Sequence, residues 1–342
     1  MIVRARAPLR LGFGGGGSDL SPFCDQHGGY VLNATINMFV YAVLELREQG
    51  PVRFVAADRQ ECVELEPTCD MPLEGTLSLH KSVYCRIMRD FNGGHALPVT
   101  LTTYSDVAAG SGLGSSSTLV VAMVEAFKEL LALPLGEYDV AQLAYRIERL
   151  DVKMVGGRQD QYAATFGGFN FMEFGVGDRV VVNPLRINRN TVNELEASLV
   201  VCNTGMPRDS DGIIQAQASN VKQGDQQSLD ATHRLKQEAV SMKEALLKGN
   251  IPRFAEVLEQ GWLSKKKTAT GVSNPDLERV YQAAMDGGAY SGKVSGAGGG
   301  GFMMFVVDPA RRPDVFRALR CQNVQPLTVH FTEHGALAWR LK

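Results

Sequence analysis

β-Type residues alternate along positions 2–13, IVRARAPLRLGF, and predict a first strand. A run of four glycines follows, then a short helix over Asp19–His27 that Gly28 and Gly29 would end. A long strand is expected over 30–47, YVLNATINMFVYAVLELR, with two short ones at VRFVAA and ECVELE, so the chain begins with a β-rich layer. At 77–91 the periodicity changes: Val83, Tyr84, Ile87, Met88 and Phe91 recur at helical spacing, and Asn92-Gly93-Gly94 stops the helix.

The strand PVTLTTY then leads into GSGLGSSST at 110–118, followed by the apolar run of a helix reaching about Leu133. A further helix covers Tyr138–Leu150, Gly156 and Gly157 open a loop, and GGFNFMEF at 167–174 reads as a strand. The stretch 183–193, rich in proline and asparagine, marks the best domain boundary, which divides the chain into 1–188 and 189–342. Beyond it come the strand SLVVCNTG, three or four helices to about Asp286, and KVSGAGGGGFMMFVV as strand, glycine loop and strand. One helix and two terminal strands complete an α+β second half, and no internal repeat intervenes.

With 342 residues, 44% hydrophobic and 21% charged, the chain can bury a real core. No apolar run is long enough to span a bilayer, and the start MIVRARAPLRLGF lacks the apolar core of a signal peptide, so a cytoplasmic protein without a membrane partner is expected. The six cysteines form no CxxC pair, which argues for separate reduced thiols rather than a zinc site. Net charge is −2, and the one basic run, Lys265-Lys266-Lys267, reads as a solvated helix face, so nucleic acid is a poor partner. A homo-oligomer is left open.

Three glycine-rich loops carry the chemistry: GFGGGG at 12–17, GSGLGSSS at 110–117 and SGAGGGG at 295–301. Glycine lets backbone N–H groups approach an anion closely, and three such loops in one chain favour a phosphate ligand. Gly12-x-Gly14-x-x-Gly17 matches a dinucleotide fingerprint, but Pro22, Gly28 and Gly29 leave no crossover helix and no acidic residue ends a strand about 20 residues on. GGAYSGKV at 287–294 has P-loop spacing, yet Val294 stands where Mg²⁺ needs a hydroxyl. The loop 110–117 is different, since it ends at a helix N-terminus, where free N–H groups and the helix dipole favour negative charge. One of its serines can cap the helix, and three in a row at 115–117 leave hydroxyls for phosphate or Mg²⁺. Phosphoryl transfer also needs carboxylates, and YRIERLDVKMVGGRQDQYAATFGG offers Glu148 near a helix end and Asp160 after a glycine loop, at the entry to an apolar strand.

In this order the three loops resemble the three motifs of the GHMP sugar and mevalonate kinase family. APLRLGFGGGGSD is similar to the first motif, GLGSSS to the second and KVSGAGGGG to the third, with GGRQDQYAATFGGFNFMEF between the last two. One departure is that the second motif, DVAAGSGLGSSS, does not open with proline. Within the family the similarity is greatest to bacterial members that act on a heptose 7-phosphate.

The resemblance implies a two-lobed fold: an N-terminal lobe like ribosomal protein S5, a C-terminal α/β sandwich lobe, and an active site in the cleft between them. It implies ATP as co-substrate, Mg²⁺, a small sugar phosphate as partner, and transfer to an anomeric hydroxyl to give a heptose 1,7-bisphosphate used toward GDP-heptose for surface polysaccharide. Gly110, Ser111, Gly112, Leu113, Gly114, Ser115, Ser116 and Ser117 would wrap the ATP phosphates, and Ser116 with Glu148 would hold the metal. Asp160 would be the general base or orient the acceptor hydroxyl, with Arg10 stabilising its charge. Gly16, Gly17, Ser18 and Asp19 would meet the sugar, and Gly296, Ala297 and Gly298 would close the cleft. For the second phosphate, bidentate arginine geometry points to Arg158 and Arg208, with Lys81 third. Two alternatives stand beside this reading: a kinase of the same family acting on fucose, galactose or mevalonate, and a non-catalytic sensor that keeps the fold. A sensor would be expected to lose one of Arg10, Ser116, Glu148 or Asp160, and all four are present.

Overall fold

The odd positions of the first strand are Val3, Ala5, Ala7, Leu9, Leu11 and Phe13, and the even ones include Arg4, Arg6 and Arg10. In a computed structural model, which describes residues 1–206 and 209–341, this alternation becomes β1 (Ile2–Gly14), and all six apolar side chains are buried. Successive side chains of a strand point to opposite faces, so Arg10 is aimed away from that apolar filling. The chain continues through α1 (Phe23–His27), β2 (Gly29–Leu46), β3 (Val52–Ala56), β4 (Glu61–Leu65), α2 (Ser78–Phe91), β5 (Val99–Ser105), α3 (Ser115–Leu131), α4 (Glu137–Arg146), α5 (Gln159–Phe166), β6 (Phe169–Phe174) and β7 (Val180–Pro184). The second half holds α6 (Arg189–Ser198), β8 (Leu199–Asn203), α7 (Ser210–Lys222), α8 (Gln226–Leu247), α9 (Ile251–Lys265), α10 (Pro275–Asp286), β9 (Ala289–Val294), β10 (Phe302–Val307), α11 (Arg312–Cys321), β11 (Gln325–Leu327) and β12 (Leu337–Arg340).

The first half builds most of an eight-stranded sheet in the order β12-β1-β2-β5-β3-β4, with β6 added along β2 and β7 along β6. At 18 residues, β2 is long enough to pair with β6 over 29–34 and with β5 over 40–46. Its pairing with β1 shifts register between Pro8 and Arg10 and between Gly12 and Gly14. Such irregularities bend a strand and re-aim its side chains, here on both sides of Arg10. One core lies under α2, α3 and α4 around Phe54, Tyr84 and Phe127. A second joins the halves, packing Leu9, Leu11 and Phe13 of β1 with Phe254 and Leu258 of α9 and Met304 of β10.

The second half holds an antiparallel sheet of four strands, β11-β8-β10-β9. Its other face packs Met303 and Phe305 against Trp262, Leu277, Val315 and Leu319. Cover on both faces explains why β10, FMMFVV, reads as an unbroken apolar run. Mixed α+β architecture in two lobes with a cleft is therefore what forms.

Several local expectations are corrected. Helix α1 starts at Phe23 rather than Asp19, because residues 17–20 are held in a turn, with the Gly17 N–H on the Asp19 carboxylate and the Leu20 N–H on the Gly17 carbonyl. The segment after Arg158 is not a strand entry but α5, eight residues long. The helix expected to Leu150 is regular only to Arg146, then widens through Ile147–Asp151, where the Val152 N–H bonds the Ile147 carbonyl at 3.1 Å. The boundary stretch contains the start of α6, capped by the Asn188 side chain on the Asn190 N–H. Finally, β12 pairs with β1, Val3 opposite Arg340, so residues 337–340 belong to the first sheet although the sequence places them in the second domain.

Candidate active site

Between the lobes lies a cleft of about 390 Å³ lined by all three glycine loops, through Gly12, Gly16 and Gly17, through Gly110, Gly112, Gly114, Ser115 and Ser116, and through Gly296 and Ala297. At its floor Arg10 reaches Asp160, with Nε donating to Oδ1 at 2.8 Å and Nη2 at 2.7 Å from the same oxygen. Nη1 of Arg10 donates to the Gly112 carbonyl at 2.6 Å, and Ser295 Oγ donates to that carbonyl at 3.0 Å. One buried guanidinium thus ties together the first strand, the second and third loops and Asp160. Both contacts from Arg10 go to Oδ1, so among the described residues no protein group donates to Oδ2 of this cleft-lining carboxylate.

Asp160 occupies the first turn of α5, and Gly114 lies against it at φ +80°. A Cβ at position 114 would come within 3.1 Å of Asp160 Cγ, so only glycine gives both the left-handed backbone and the close approach. Gly114 also precedes α3 without a side-chain cap, in contrast to the serine cap considered from sequence. The first N–H groups of α3 are therefore free to meet an anion, and Ser115 and Ser116 line the cleft beside them. Within 110–117 the chain divides labour: Leu113 is buried in the core between the halves, and Ser111 and Ser117 are buried and do not line the cleft.

Glu148 is fully buried beneath this helix start. Its Oε1 accepts Ser116 Oγ at 2.7 Å, and its Oε2 accepts Ser117 Oγ at 2.6 Å and Gln161 Nε2 at 2.6 Å. The Arg149 guanidinium stands 3.3 Å from Oε1. These contacts join the wide turn at 147–151 to α3 and α5. Serine hydroxyl and carboxylate oxygens suit a hard divalent cation, and among the described residues no three His, Cys, Asp or Glu side chains gather as a metal site. Phosphate oxygens and water would have to complete any coordination sphere here.

Asp19 lines the cleft but its oxygens are committed to the backbone. Oδ2 accepts the N–H groups of Arg158 and Gln159 at 3.0 and 3.2 Å, and Oδ1 that of Gly17 at 3.0 Å. Gly157 must lack a side chain, since a Cβ would fall 2.0 Å from Asp19 Oδ2. Asp19 thus sets the start of α5, and with it Asp160. Asp19→Asn is expected to lower stability by about 2–4 kcal/mol, because it turns an acceptor toward donors into a donor in a buried site. Thermal melts should show this loss without any sugar present; an unchanged melt would restore the simpler sugar-binding role.

The other residues assigned to the second phosphate and sugar fare differently. Arg158 turns away from the cleft, donating to the Gly177 carbonyl at 2.5 Å and pairing with Asp25 at 2.9 Å, so it fastens the 175–177 turn. Lys81 is buried with Nζ on the Glu74 carbonyl, and Ser18 Oγ is spent on the carbonyls of Gly15 and Tyr30. Gly298 packs on Val272 rather than lining the cleft. Arg208 lies outside the described residues.

Lys265 is a correction of another kind. It is not a solvated member of a basic run but only 5% exposed, in the cleft wall with Nζ on the Gly16 carbonyl at 2.9 Å. Phe254, Leu258, Trp262 and Lys265 share one face of α9, so helical periodicity carried the signal that the KKK run obscured. Lys293 was not singled out, yet it also lines the cleft, and its Nζ donates to the Gly12 and Phe13 carbonyls at 3.0 Å each. Burial pulls both amines down, Lys265 to about 8 and Lys293 to about 7, and Arg10 adds to the effect in both.

Gln159 and Arg149 also face the cleft; Gln159 Oε1 is buried without a partner, and Arg149 holds the carbonyls of the 154–157 loop. Adjacent residues of a regular helix point in different directions, so the link from Arg149 to Glu148 could not be read from spacing. The cleft lining also includes the apolar side chains of Leu79, Val107 and Leu119, together with Tyr104 and Ser105, which suit a planar base. Among the described residues no helix is long and apolar enough to cross a membrane.

Residues 78–168 match the family described as GHMP kinases N terminal domain, and residues 242–325 match GHMP kinases C terminal. The chain is 48% identical to D-glycero-alpha-D-manno-heptose 7-phosphate kinase of Campylobacter jejuni, over 99% of both chains. Among solved structures it superposes on a D-glycero-D-manno-heptose 1-phosphate kinase from Bacteroides thetaiotaomicron with TM-score 0.84 and 44% identity, covering 99% of each chain. A Lactococcus lactis galactokinase complexed with galactose shares the fold at TM-score 0.75 and 18% identity, over 99% of this chain and 95% of that one. Phosphate loops, ion-paired carboxylate and whole-chain similarity thus agree, and the chain belongs to the GHMP kinase family, as a sugar kinase with ATP as its co-substrate.

Proposed function

We propose that the protein transfers the γ-phosphoryl group of ATP, with Mg²⁺, to the anomeric hydroxyl of D-glycero-D-manno-heptose 7-phosphate. The observation that carries the reaction type is Asp160, fixed through Oδ1 by Arg10 and set against the glycine loop at the start of α3. What supports the acceptor is the 48% identity, end to end, to a kinase of that name. The anomeric oxygen forms a bond to the γ-phosphorus, the bond from phosphorus to the β,γ-bridging oxygen breaks, and ADP leaves. Asp160 Oδ2 holds the acceptor hydroxyl in line and receives its proton. An anomeric hydroxyl is more acidic than an ordinary alcohol, so an ionised carboxylate is basic enough for the task. Arg10, ion-paired with Asp160, places positive charge where the transferring group gains negative charge.

The free N–H groups at the start of α3 and the hydroxyls of Ser115 and Ser116 take the nucleotide phosphates, while Leu79, Val107 and Leu119 cover the base. Ser116 and Glu148 are the residues that would hold Mg²⁺, which when bound neutralises the phosphate oxygens and polarises the group being transferred.

A second reading puts the phosphates in the other order, since the Bacteroides relative is named for a heptose 1-phosphate. Phosphorus NMR of the product decides between them. Heptose 7-phosphate with ATP and Mg²⁺ should yield a new anomeric phosphate signal coupled to H1, and heptose 1-phosphate should yield nothing. The reverse pattern would overturn the proposal, and preferential turnover of free fucose or galactose would move the protein to another acceptor class.

A further inference from the structure

We propose that Lys265 and Lys293 seat the second, non-reacting phosphoryl group of the acceptor and so set the preference for a sugar phosphate over the free sugar. The inference rests on the reading of this cleft as a sugar phosphate kinase site. The two ammonium groups reach it from different elements, the end of α9 and the C-terminal end of β9, and both are almost wholly buried. Lys265 gives one of its three donors to the Gly16 carbonyl, and Lys293 gives two to Gly12 and Phe13. Donors therefore remain on both.

The charged groups facing them are Arg10 from β1, Asp19 from the loop after it and Glu238 from α8. Asp19 is engaged by three backbone N–H groups, and Glu238 by Ser264 Oγ at 2.7 Å. Neither lysine has a carboxylate within ion-pairing distance among the described residues, while Arg10 is paired with Asp160. Two buried cations close to a third are costly alone, and a dianion between them would relieve that cost. Both amines accordingly lie low, and burial comes first among the causes, with Arg10 lowering both and Lys265 lowering Lys293 as well. Binding a phosphate dianion raises both, so protons are taken up on binding at pH 8.

Calorimetry with heptose 7-phosphate and with unphosphorylated heptose tests this directly. The wild type should prefer the phosphate about 100-fold, and Lys265→Met or Lys293→Met should cut the ratio of the two Kd values to below about 5. Thermal melts check that the variants fold. A measurement on the wild type stands independently of them: at pH 8, in two buffers of different ionisation enthalpy, the sugar phosphate should bind with uptake of about one proton and the free sugar with none. A ratio unchanged in folded variants, or a wild type with neither preference nor uptake, overturns the assignment. So does a loss of ATP affinity with the ratio intact, which would give the lysines to the nucleotide. Binding with these signatures but without turnover would sink the proposed reaction and leave the lysine seat standing.

Discussion

Asp160→Asn is expected to lower kcat at least about 1,000-fold while the Kd for ATP stays within about threefold. The amide fills the same space at the start of α5 but cannot take the proton from the acceptor hydroxyl. It also removes the charge facing Arg10, whose guanidinium is buried and, among the described residues, otherwise held only by the Gly112 carbonyl and Ser295 Oγ. Positioning and charge fail together, which is why the effect should exceed that of losing a single hydrogen bond. Nucleotide binding is expected to persist because the α3 N-terminus and its serines do not depend on the Asp160 charge. Single-turnover measurements with saturating ATP isolate the chemical step. A fall of less than about tenfold would reduce Asp160 to orienting the substrate, with proton transfer left to solvent. Equal turnover in variant and wild type would remove it from the chemistry, and no turnover in either would favour the non-catalytic sensor.

The parts of this site that could be read from the sequence are those whose cause is local. Alternation along 2–13 defines β1 and leaves Arg10 on the face opposite the core, and the glycines and serines of 110–117 announce an anion loop because the helix they precede is itself visible. The parts that escaped depend on distant partners. Asp160 reads as the entry to a strand because the nine residues between Gly157 and Gly167 carry little periodicity, and the helix there is set by Asp19, about 140 positions away, accepting the N–H groups of Arg158 and Gln159. Arg158 has the right chemistry for phosphate, yet the Gly177 carbonyl and Asp25 claim it. Lys265 was hidden by its two lysine neighbours, although its place on the apolar stripe of α9 was available. Composition assigned it to solvent; periodicity would have assigned it to the interior.

Glu148→Ala should damage both stability and activity, and for separable reasons. The carboxylate is fully buried and receives hydrogen bonds from Ser116, Ser117 and Gln161, with the Arg149 guanidinium beside it. Removing it leaves three donors unanswered and takes the carboxylate partner from Arg149, which is expected to cost about 3–5 kcal/mol, or roughly 5 °C in Tm for a chain of 342 residues. Because its partners sit on α3 and α5, the loss also loosens the phosphate loop against Asp160, and turnover should fall below about 1%. Glu148→Gln keeps the volume and one carbonyl oxygen but turns an amide toward donors, so its melt should lie between those of the alanine variant and the wild type. The metal role is read separately, from the Mg²⁺ concentration giving half-maximal rate, which Gln should raise at least about tenfold by removing the one carboxylate ligand. A lowered melt with an unchanged Mg²⁺ requirement would leave Glu148 as the brace between α3 and α5 and take it out of the metal site. An unchanged melt in the alanine variant would instead contradict the brace itself, because a buried carboxylate with four partners cannot be removed from a rigid site without cost.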